Sequence, residues 1–131
     1  MKAELVRNDL VLPELSYKIV GCAYEVFKEL GPGLLEKVYQ RGMVKSLEKA
    51  GLKSVEQVRY EVMFDGEKIA TSYFDFLVED KVVVELKRKK FFYNAEIEQV
   101  LHYLKVSDKK LGLIIRFTDE GARFKRVVNI G

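Results

Sequence analysis

The sequence predicts an α/β fold, a mixed β-sheet flanked by helices, with its elements in the order α-α-β-β-β-α-β-β. Two amphipathic segments with apolar residues at helical spacing open the chain. Two turn signals, Asp65-Gly66 and a polar triplet at residues 79–81, then separate three strand-like segments and indicate a meander. A third amphipathic segment precedes residues 110–118, whose continuous apolar run is typical of a strand covered on both sides.

The two opening segments are predicted helices. Pro13 suits the first turn of the first helix, and the Gly-Pro-Gly sequence at residues 31–33 ends it. The second helix runs from near Leu34 to near Gly51. The apolar positions are Leu15, Ile19, Cys22, Ala23, Val26, Phe27 and Leu30 in the first helix and Leu35, Val38, Tyr39, Met43 and Leu47 in the second.

The later elements follow from alternation and periodicity. Residues 55–64, 68–78 and 81–87 are predicted to form three consecutive antiparallel strands. Residues 94–106 form the third helix, and residues 123–130 form the last strand. The buried stripe of the third helix is Ile97, Val100, Leu101 and Leu104. A chain of 131 residues suits one compact domain, spanning residues 1–131.

Composition limits the classes of function. Hydrophobic residues make up 48% and charged residues 33% of the chain, as is typical of globular proteins. The formal net charge of +3 permits a nucleic-acid partner without requiring one. A single cysteine, Cys22, excludes an internal disulfide and a cysteine metal cluster. No apolar run reaches the ~18 residues of a membrane span and residues 1–8 lack a signal-peptide core, so we expect a cytoplasmic protein.

Two acids on neighbouring strands form the centre of the candidate site. Glu85 and Lys87 share one face of their strand because side chains alternate. If residues 79–81 form the loop, Asp75 lies directly opposite Glu85 with Cβ atoms ~5 Å apart, whereas a two-residue loop would put the acids on opposite faces. Opposed carboxylates repel, and Mg²⁺ between them would remove the conflict. The alternative is that Glu85 and Lys87 form an ordinary ion pair at the solvent-exposed end of a strand.

Glu36 is a third candidate acid. It lies in the first turn of the second helix, where the helix dipole favours negative charge, and this alone would account for it. Glu36 also shares a strip of that helix with Met43 and Leu47, which should be buried. Its carboxylate therefore lies at the edge of the buried face and could reach a site on the sheet.

Further polar residues surround the acids. Three cations follow Lys87 directly, at the strand end where a phosphate backbone could lie, although such a run is also common in a solvated turn. They are Arg88, Lys89 and Lys90. Gln99 and Tyr103 share one flank of the third helix, where the alternative is a hydrogen-bonded pair at the solvent edge.

These patterns resemble the motifs of a known superfamily. Asp75 followed by Glu85-Leu86-Lys87 resembles the core motif of the PD-(D/E)xK nuclease superfamily, whose restriction-endonuclease-like fold has the same order of later elements. Residues 99–103 (QVLHY) resemble the Q-x-x-x-Y motif of its exonuclease-like branch, and residues 33–39 (GLLEKVY) resemble the signature of the GxxExxY family. One departure is Phe74, which stands where the superfamily's name has proline.

The resemblance implies a metal site. Asp75, Glu85 and Glu36 would bind Mg²⁺, with Mn²⁺ as an alternative and the Leu86 carbonyl as a further ligand. Lys87 would orient or deprotonate the attacking water and stabilise the charge that forms on the phosphate.

The resemblance also implies a nucleic-acid substrate, with DNA as the first candidate. Gln99 and Tyr103 would position Lys87, the substrate or its backbone, and the three cations after Lys87 would add non-specific phosphate contacts. The implied function is Mg²⁺-dependent hydrolysis of phosphodiester bonds. A catalytically weak module that binds nucleic acid or protein and retains the nuclease fold is the alternative. Because the chain has no separate DNA-gripping domain, a homodimer or a partner protein could supply specificity.

Overall fold

A computed structural model of the protein describes residues 11–88 and 91–130. Within these residues the predicted element order is confirmed. The helices are α1 (Pro13–Leu30), α2 (Glu36–Lys49) and α3 (Asn94–Ser107). The strands are β1 (Ser54–Phe64), β2 (Glu67–Val78), β3 (Val82–Lys87), β4 (Leu111–Thr118) and β5 (Gly121–Val128). No helix in this part of the chain combines the length and apolarity needed to cross a membrane.

The five strands form one mixed sheet in the order β1-β2-β3-β4-β5. The β1–β2, β2–β3 and β4–β5 pairs are antiparallel, whereas β3 and β4 are parallel and are joined through α3. A parallel pair needs such a crossover because no tight turn can connect its ends. The carboxyl ends of β3 and β4 therefore lie at the same edge of the sheet, where Lys87 is in register with Arg116.

Helices cover both sides of the sheet. On one side, α1 and α2 pack on Val82, Val84 and Leu86 of β3, which are fully buried. On the other side, α3 packs on Val83 and on Ile114 of β4. All residues of β4 are buried, which confirms that this strand is covered on both sides.

The β1–β2 hairpin is much longer than its neighbour. β1 and β2 have 11 and 12 residues, whereas β3 has 6. At the predicted turn, Asp65 and Gly66 have φ of 52° and 77°, both in the left-handed region that a tight hairpin turn requires. Since β2 pairs with β3 only from Phe76 to Val78, most of the hairpin extends beyond the rest of the sheet.

Candidate active site

The turn between β2 and β3 has the predicted three-residue length, which confirms the register. Val78 pairs with Val82, and the ladder ends at the Phe76–Val84 pair, immediately before Asp75 and Glu85. From there, side chains replace the main-chain bonds between the strands. The Leu86 N–H donates to Asp75 Oδ2 at 2.7 Å, and the Asp75 N–H donates to Glu85 Oε1 at 3.3 Å. The two carboxylates therefore occupy the point where β2 and β3 separate.

A local distortion of β2 accompanies this separation. Alternate residues of a regular strand share a side of the sheet. Phe74 and Phe76, however, belong to hydrophobic clusters on opposite sides, so β2 turns about its axis at Asp75. On β1, Gln57 lies between the partners of these two phenylalanines and has φ of 56°. The distortion thus crosses both strands and directs Asp75 toward Glu85.

Lys87 completes the strand part of the site. Its Nζ lies 3.3 Å from Glu85 Oε2, and the two side chains are 29% and 15% exposed. Burial, together with the hydrogen bond and the charge of Asp75, raises the pKa of Glu85 to about 8, although the neighbouring Lys87 acts in the opposite direction. In the absence of a cation, Glu85 therefore holds a proton near neutral pH.

Glu36 is the first residue of α2, and Tyr39 fixes the loop before it. The buried Tyr39 hydroxyl donates to the Gly31 carbonyl at 2.6 Å and accepts from the Leu34 N–H at 3.3 Å. Its ring stacks on Phe117 of β4, with the centroids 4.3 Å apart and the planes inclined by 2°. The start of α2 is thereby fastened to the sheet near the ends of β3 and β4.

The charges that act on Glu36 place it within electrostatic range of Asp75 and Lys87. Burial raises the pKa of Glu36, and the charge of Asp75 adds to this effect. The charges of Lys87, Arg88 and Arg116 oppose it. Glu36 thus lies within electrostatic range of Asp75 and Lys87 as well as of Arg116.

Arg116 is a neighbour of the site that the sequence reasoning missed. It is fully buried, is in register with Lys87 and forms an ion pair with Glu96 of α3. Its guanidinium carbon lies 4.8 Å from the centre of the Phe92 ring and 5.7 Å from that of Tyr93. Burial lowers the pKa of the Arg116 guanidinium. The signal in the sequence is a single arginine inside an otherwise apolar strand, because a buried charge requires a partner.

Of the other predicted site residues, the structure describes Gln99, Tyr103, Leu86 and Arg88. Gln99 Oε1 accepts a hydrogen bond from the Tyr60 hydroxyl at 3.4 Å, and the Tyr103 ring meets Phe74 edge-on at 5.2 Å. Both side chains therefore contact the β1–β2 hairpin, and their link to Lys87 stays a prediction. The Leu86 side chain is buried in the core, and Arg88 is exposed. Lys89 and Lys90 lie outside the described residues.

The donor set suits a cation that needs few protein ligands. Among residues 11–88 and 91–130, no group of three or more His, Cys, Asp or Glu side chains is arranged as a complete metal cage. Asp75 and Glu85 nevertheless place two carboxylates together, and Glu36 lies within electrostatic range of Asp75. Mg²⁺ usually keeps several waters and takes one or two protein carboxylates plus substrate phosphates. These residues therefore fit Mg²⁺ better than an ion that demands a full protein cage.

Comparison with known proteins identifies the family. The model of the PD-(D/E)XK nuclease superfamily matches residues 13–127, a stretch that contains Asp75, Glu85 and Lys87. The chain belongs to this superfamily. In this PD-(D/E)XK protein, Phe74 takes the position of the motif's proline; it is buried and stacks on Tyr60 with ring centroids 4.2 Å apart. No curated protein matches the chain in sequence.

Solved structures resemble the PD-(D/E)XK chain at low sequence identity. SSO0001 has a TM-score of 0.54 and 14% identity, over 89% of this chain and 59% of that chain. An alkaline exonuclease from Laribacter hongkongensis has a TM-score of 0.50 and 12% identity, over 92% and 71%. The Holliday junction resolvase Hjc from Archaeoglobus fulgidus has 0.44 and 18%, over 67% and 74%. The chain thus spans less than two thirds of SSO0001, and the likeness to the first two supports the fold alone.

Proposed function

We propose that the protein is a Mg²⁺-dependent nuclease that hydrolyses phosphodiester bonds of nucleic acid, DNA in the first place. The observation that carries this proposal is the group at the point where β2 and β3 separate. Asp75 and Glu85 meet there, and Lys87 Nζ lies 3.3 Å from a Glu85 oxygen. The superfamily to which the chain belongs supports the same chemistry.

Each residue has a role that follows from its position. Asp75 and Glu85 would hold the cation, with Glu36 as the third acid. The chemistry that a bound divalent cation supplies is polarisation of the phosphoryl oxygen. The Lys87 ammonium would donate to the attacking water or to a phosphoryl oxygen and stabilise the developing charge. Its contact with Glu85 holds the ammonium at the site.

Two helices also begin near this group, α2 at Glu36 and α3 at Asn94, and neither start has a side-chain cap. Their first backbone N–H groups point away from their helices, and the helix dipole favours an anion there. This arrangement supports a phosphate as the ligand, in addition to the cations after Lys87.

We also propose membership of the GxxExxY family, because each signature residue has a distinct structural use. Gly33 has φ of 86°, in the left-handed region that favours glycine. Glu36 is the first residue of α2 and lies within electrostatic range of Asp75. Tyr39 fastens the loop between α1 and α2 through its hydrogen bonds to Gly31 and Leu34. The signature, residues 33–39, therefore corresponds to one structural unit that positions the Glu36 carboxylate near the sheet.

A cleavage assay tests the nuclease proposal. Labelled single- and double-stranded DNA and RNA would be incubated with Mg²⁺, Mn²⁺ or chelator. Lys87→Ala should lose at least about a hundredfold in rate, as expected for loss of a charge-stabilising donor. The matched control is Lys109→Ala, since Lys109 is also half-buried and paired with an acid, Asp80, at 3.5 Å. Cutting that survives in Lys87→Ala, or that persists in chelator, would refute the proposal.

The second candidate is a module that binds nucleic acid or protein with little catalysis. The observation that favours it is that, among the described residues, Glu36 does not join Asp75 and Glu85 in a three-carboxylate group. Cleavage and metal titration together separate the candidates. A nuclease should cut, should be stabilised by Mg²⁺ and should lose that effect in Asp75→Asn. A nucleic-acid-binding module that keeps the acids should be stabilised by Mg²⁺ without cutting, whereas a protein-interaction module should show neither cutting nor stabilisation by metal.

A further inference from the structure

Two exposed aromatic rings lie in the segment that joins β3, which carries Lys87, to α3. Phe91 is 62% exposed and Tyr93 is 46% exposed, whereas Phe92 between them packs into the cluster beneath α3. Single exposed apolar residues are common on protein surfaces and need no explanation. Two aromatic rings separated by an inward-facing residue, next to a group of acids and cations, form a more specific arrangement.

Contacts with β4 fix the position of this aromatic segment. Tyr93 is the residue immediately before α3, and its ring centre lies 5.7 Å from the Arg116 guanidinium. Arg116 is in register with Lys87 on the neighbouring parallel strand. The partly buried ion pair between Arg116 and Glu96 fastens the first turn of α3 to β4. Tyr93 is therefore held beside the strand that neighbours Lys87, and Phe91 lies two residues before it in the chain.

The chemistry of this surface matches an unpaired nucleotide. Exposed aromatic rings stack on base faces, and such stacking tolerates any base because every base has a π-face. Within a duplex, the base faces are covered by their neighbours and unavailable to an inserted ring unless a step is opened. The exposed Arg88 provides a cation for the connecting phosphate.

We propose that Phe91 and Tyr93 form a stacking platform for unpaired bases, so that the preferred ligand is a single strand or an unpaired end rather than an intact duplex. The proposal rests on the proposed function for its link to cleavage. Its binding half stands independently, because stacking does not require the strand to be cut. Exposed rings beside a cation and a group of phosphate-directed residues favour nucleic acid over an apolar protein partner.

The test measures binding rather than cutting. Fluorescence anisotropy would compare a labelled single-stranded oligonucleotide with its duplex, for both DNA and RNA. It would be run in chelator and again with Ca²⁺, with a gel to show that the strands stay intact. The intact protein should bind the single strand at least about tenfold more tightly than the duplex. The acids repel the phosphates of both ligands, so this repulsion has little effect on the ratio of the two affinities.

Variants assign the preference to the rings. Phe91→Leu and Tyr93→Leu keep an apolar side chain and remove the aromatic face, so each should lose about tenfold or more in single-strand affinity and little in duplex affinity. Tyr17→Leu is the matched control, because Tyr17 lies on α1 with its side chain 81% exposed. Thermal unfolding would show that each variant folds. Phe91→Leu keeps the proposal testable if Tyr93→Leu weakens the fold.

The outcomes separate this inference from the proposed function. Equal affinity for strand and duplex, or unchanged strand affinity in both leucine variants, would overturn the stacking platform even if the protein cuts nucleic acid. Binding of neither form under either condition would also overturn it and leave the rings as a protein-contact surface. A strand preference that depends on the rings, in a protein that cuts nothing, would support the platform and refute the nuclease.

Discussion

Glu85 is the residue whose protonation the fold alters most clearly. Burial and the neighbouring Asp75 raise its pKa from 4.5 to about 8. A raised carboxyl pKa means that the folded state holds the proton more tightly than the unfolded chain does. The resulting stabilisation is complete below pH 4.5 and is lost as the pH rises through about 8.

Glu85→Gln removes this titration, since glutamine cannot ionise. In chelator, the free energy of unfolding of the intact protein should therefore fall, relative to that of the variant, as the pH rises from 4.5 to 8. At the upper end the variant should be more stable by ~1 kcal/mol or more, which is roughly 4 °C in Tm for a domain of this size. Urea unfolding at a series of pH values measures the difference. If the free energies of unfolding of the intact protein and the variant change in parallel with pH, Glu85 ionises as freely in the fold as in water. In a separate measurement, Mg²⁺ should stabilise only the intact protein.

Tyr39 supplies a second prediction at the residue scale. Tyr39→Phe leaves the stacking on Phe117 in place but removes the hydroxyl bonds to Gly31 and Leu34. Loss of a buried donor should cost ~1–2 kcal/mol in the free energy of unfolding, measured by urea denaturation. Because the loop before Glu36 loosens, Mg²⁺ should also raise Tm less than it does in the intact protein.

The control for this variant is Tyr17→Phe, whose hydroxyl belongs to a strongly exposed ring on α1. It should change neither stability nor the response to Mg²⁺. If Tyr39→Phe lost stability but kept the full Mg²⁺ response, Tyr39 would act on the fold alone and not on the position of Glu36.

At the scale of elements, the close approach of α3 to the sheet depends on Gly112 in β4. A Cβ atom at this position would lie 2.4 Å from Val100 Cγ1 of α3 and 3.1 Å from Val83 Cγ1 of β3. Gly112→Ala should therefore push α3 outward and cost ~1–3 kcal/mol in the free energy of unfolding. Since α3 carries Glu96 and begins beside Tyr93, the same shift should weaken the packing around Arg116.

A double variant tests whether this single contact is the cause. Val100→Ala in the Gly112→Ala background removes the atom that clashes, so the double variant should be more stable than the sum of the two single losses predicts. Gly21→Ala is the control, because nothing lies within 4 Å of a Cβ built there on α1. Strict additivity of the two losses would show that α3 accommodates the alanine elsewhere.

The elements also show which parts of the site the sequence could predict. The three-residue turn and the alternation of residues 82–87 were enough to pair Asp75 with Glu85, because register follows from turn length. The distortion of β2 at Asp75 could not be predicted, since Phe74 and Phe76 look alike in an alternating pattern. That distortion sets the direction of the Asp75 carboxylate, and only the packing of both phenylalanines reveals it.

Arg116 escaped prediction for a related reason. The apolar run around it correctly indicated a strand covered on both sides, and one arginine does not change that pattern. Its partner Glu96 lies 20 residues earlier, on another element, so sequence spacing does not connect them. Local patterns thus predicted the elements and the strand acids, whereas contacts between distant elements determined the surroundings of the acids.

At the scale of the whole molecule, positive and negative side chains are nearly equal in number. The chain has 23 lysines and arginines against 20 acids, a formal net charge of +3. Such a balance gives little general attraction for a polyanion. Affinity for nucleic acid must therefore come from a local group of cations, and the run from Lys87 to Lys90 is the candidate that adjoins the acids.

This balance predicts a shallow dependence of binding on salt. Contact with three or four phosphates gives a slope of log K against log salt of about −2 to −4. Fluorescence anisotropy of a labelled oligonucleotide in chelator, across a salt series, measures this slope.

The Lys89→Ala/Lys90→Ala double variant should reduce the slope by ~1–2, since each cation that is removed means that about one counterion fewer is released on binding. Lys49→Ala, a surface lysine of α2 paired with Glu25 at 3.4 Å, should leave the slope unchanged. A slope much steeper than −4 in the intact protein, or one that is insensitive to the double variant, would place the phosphate contacts on other cations and separate nucleic-acid binding from the strand end that carries the acids.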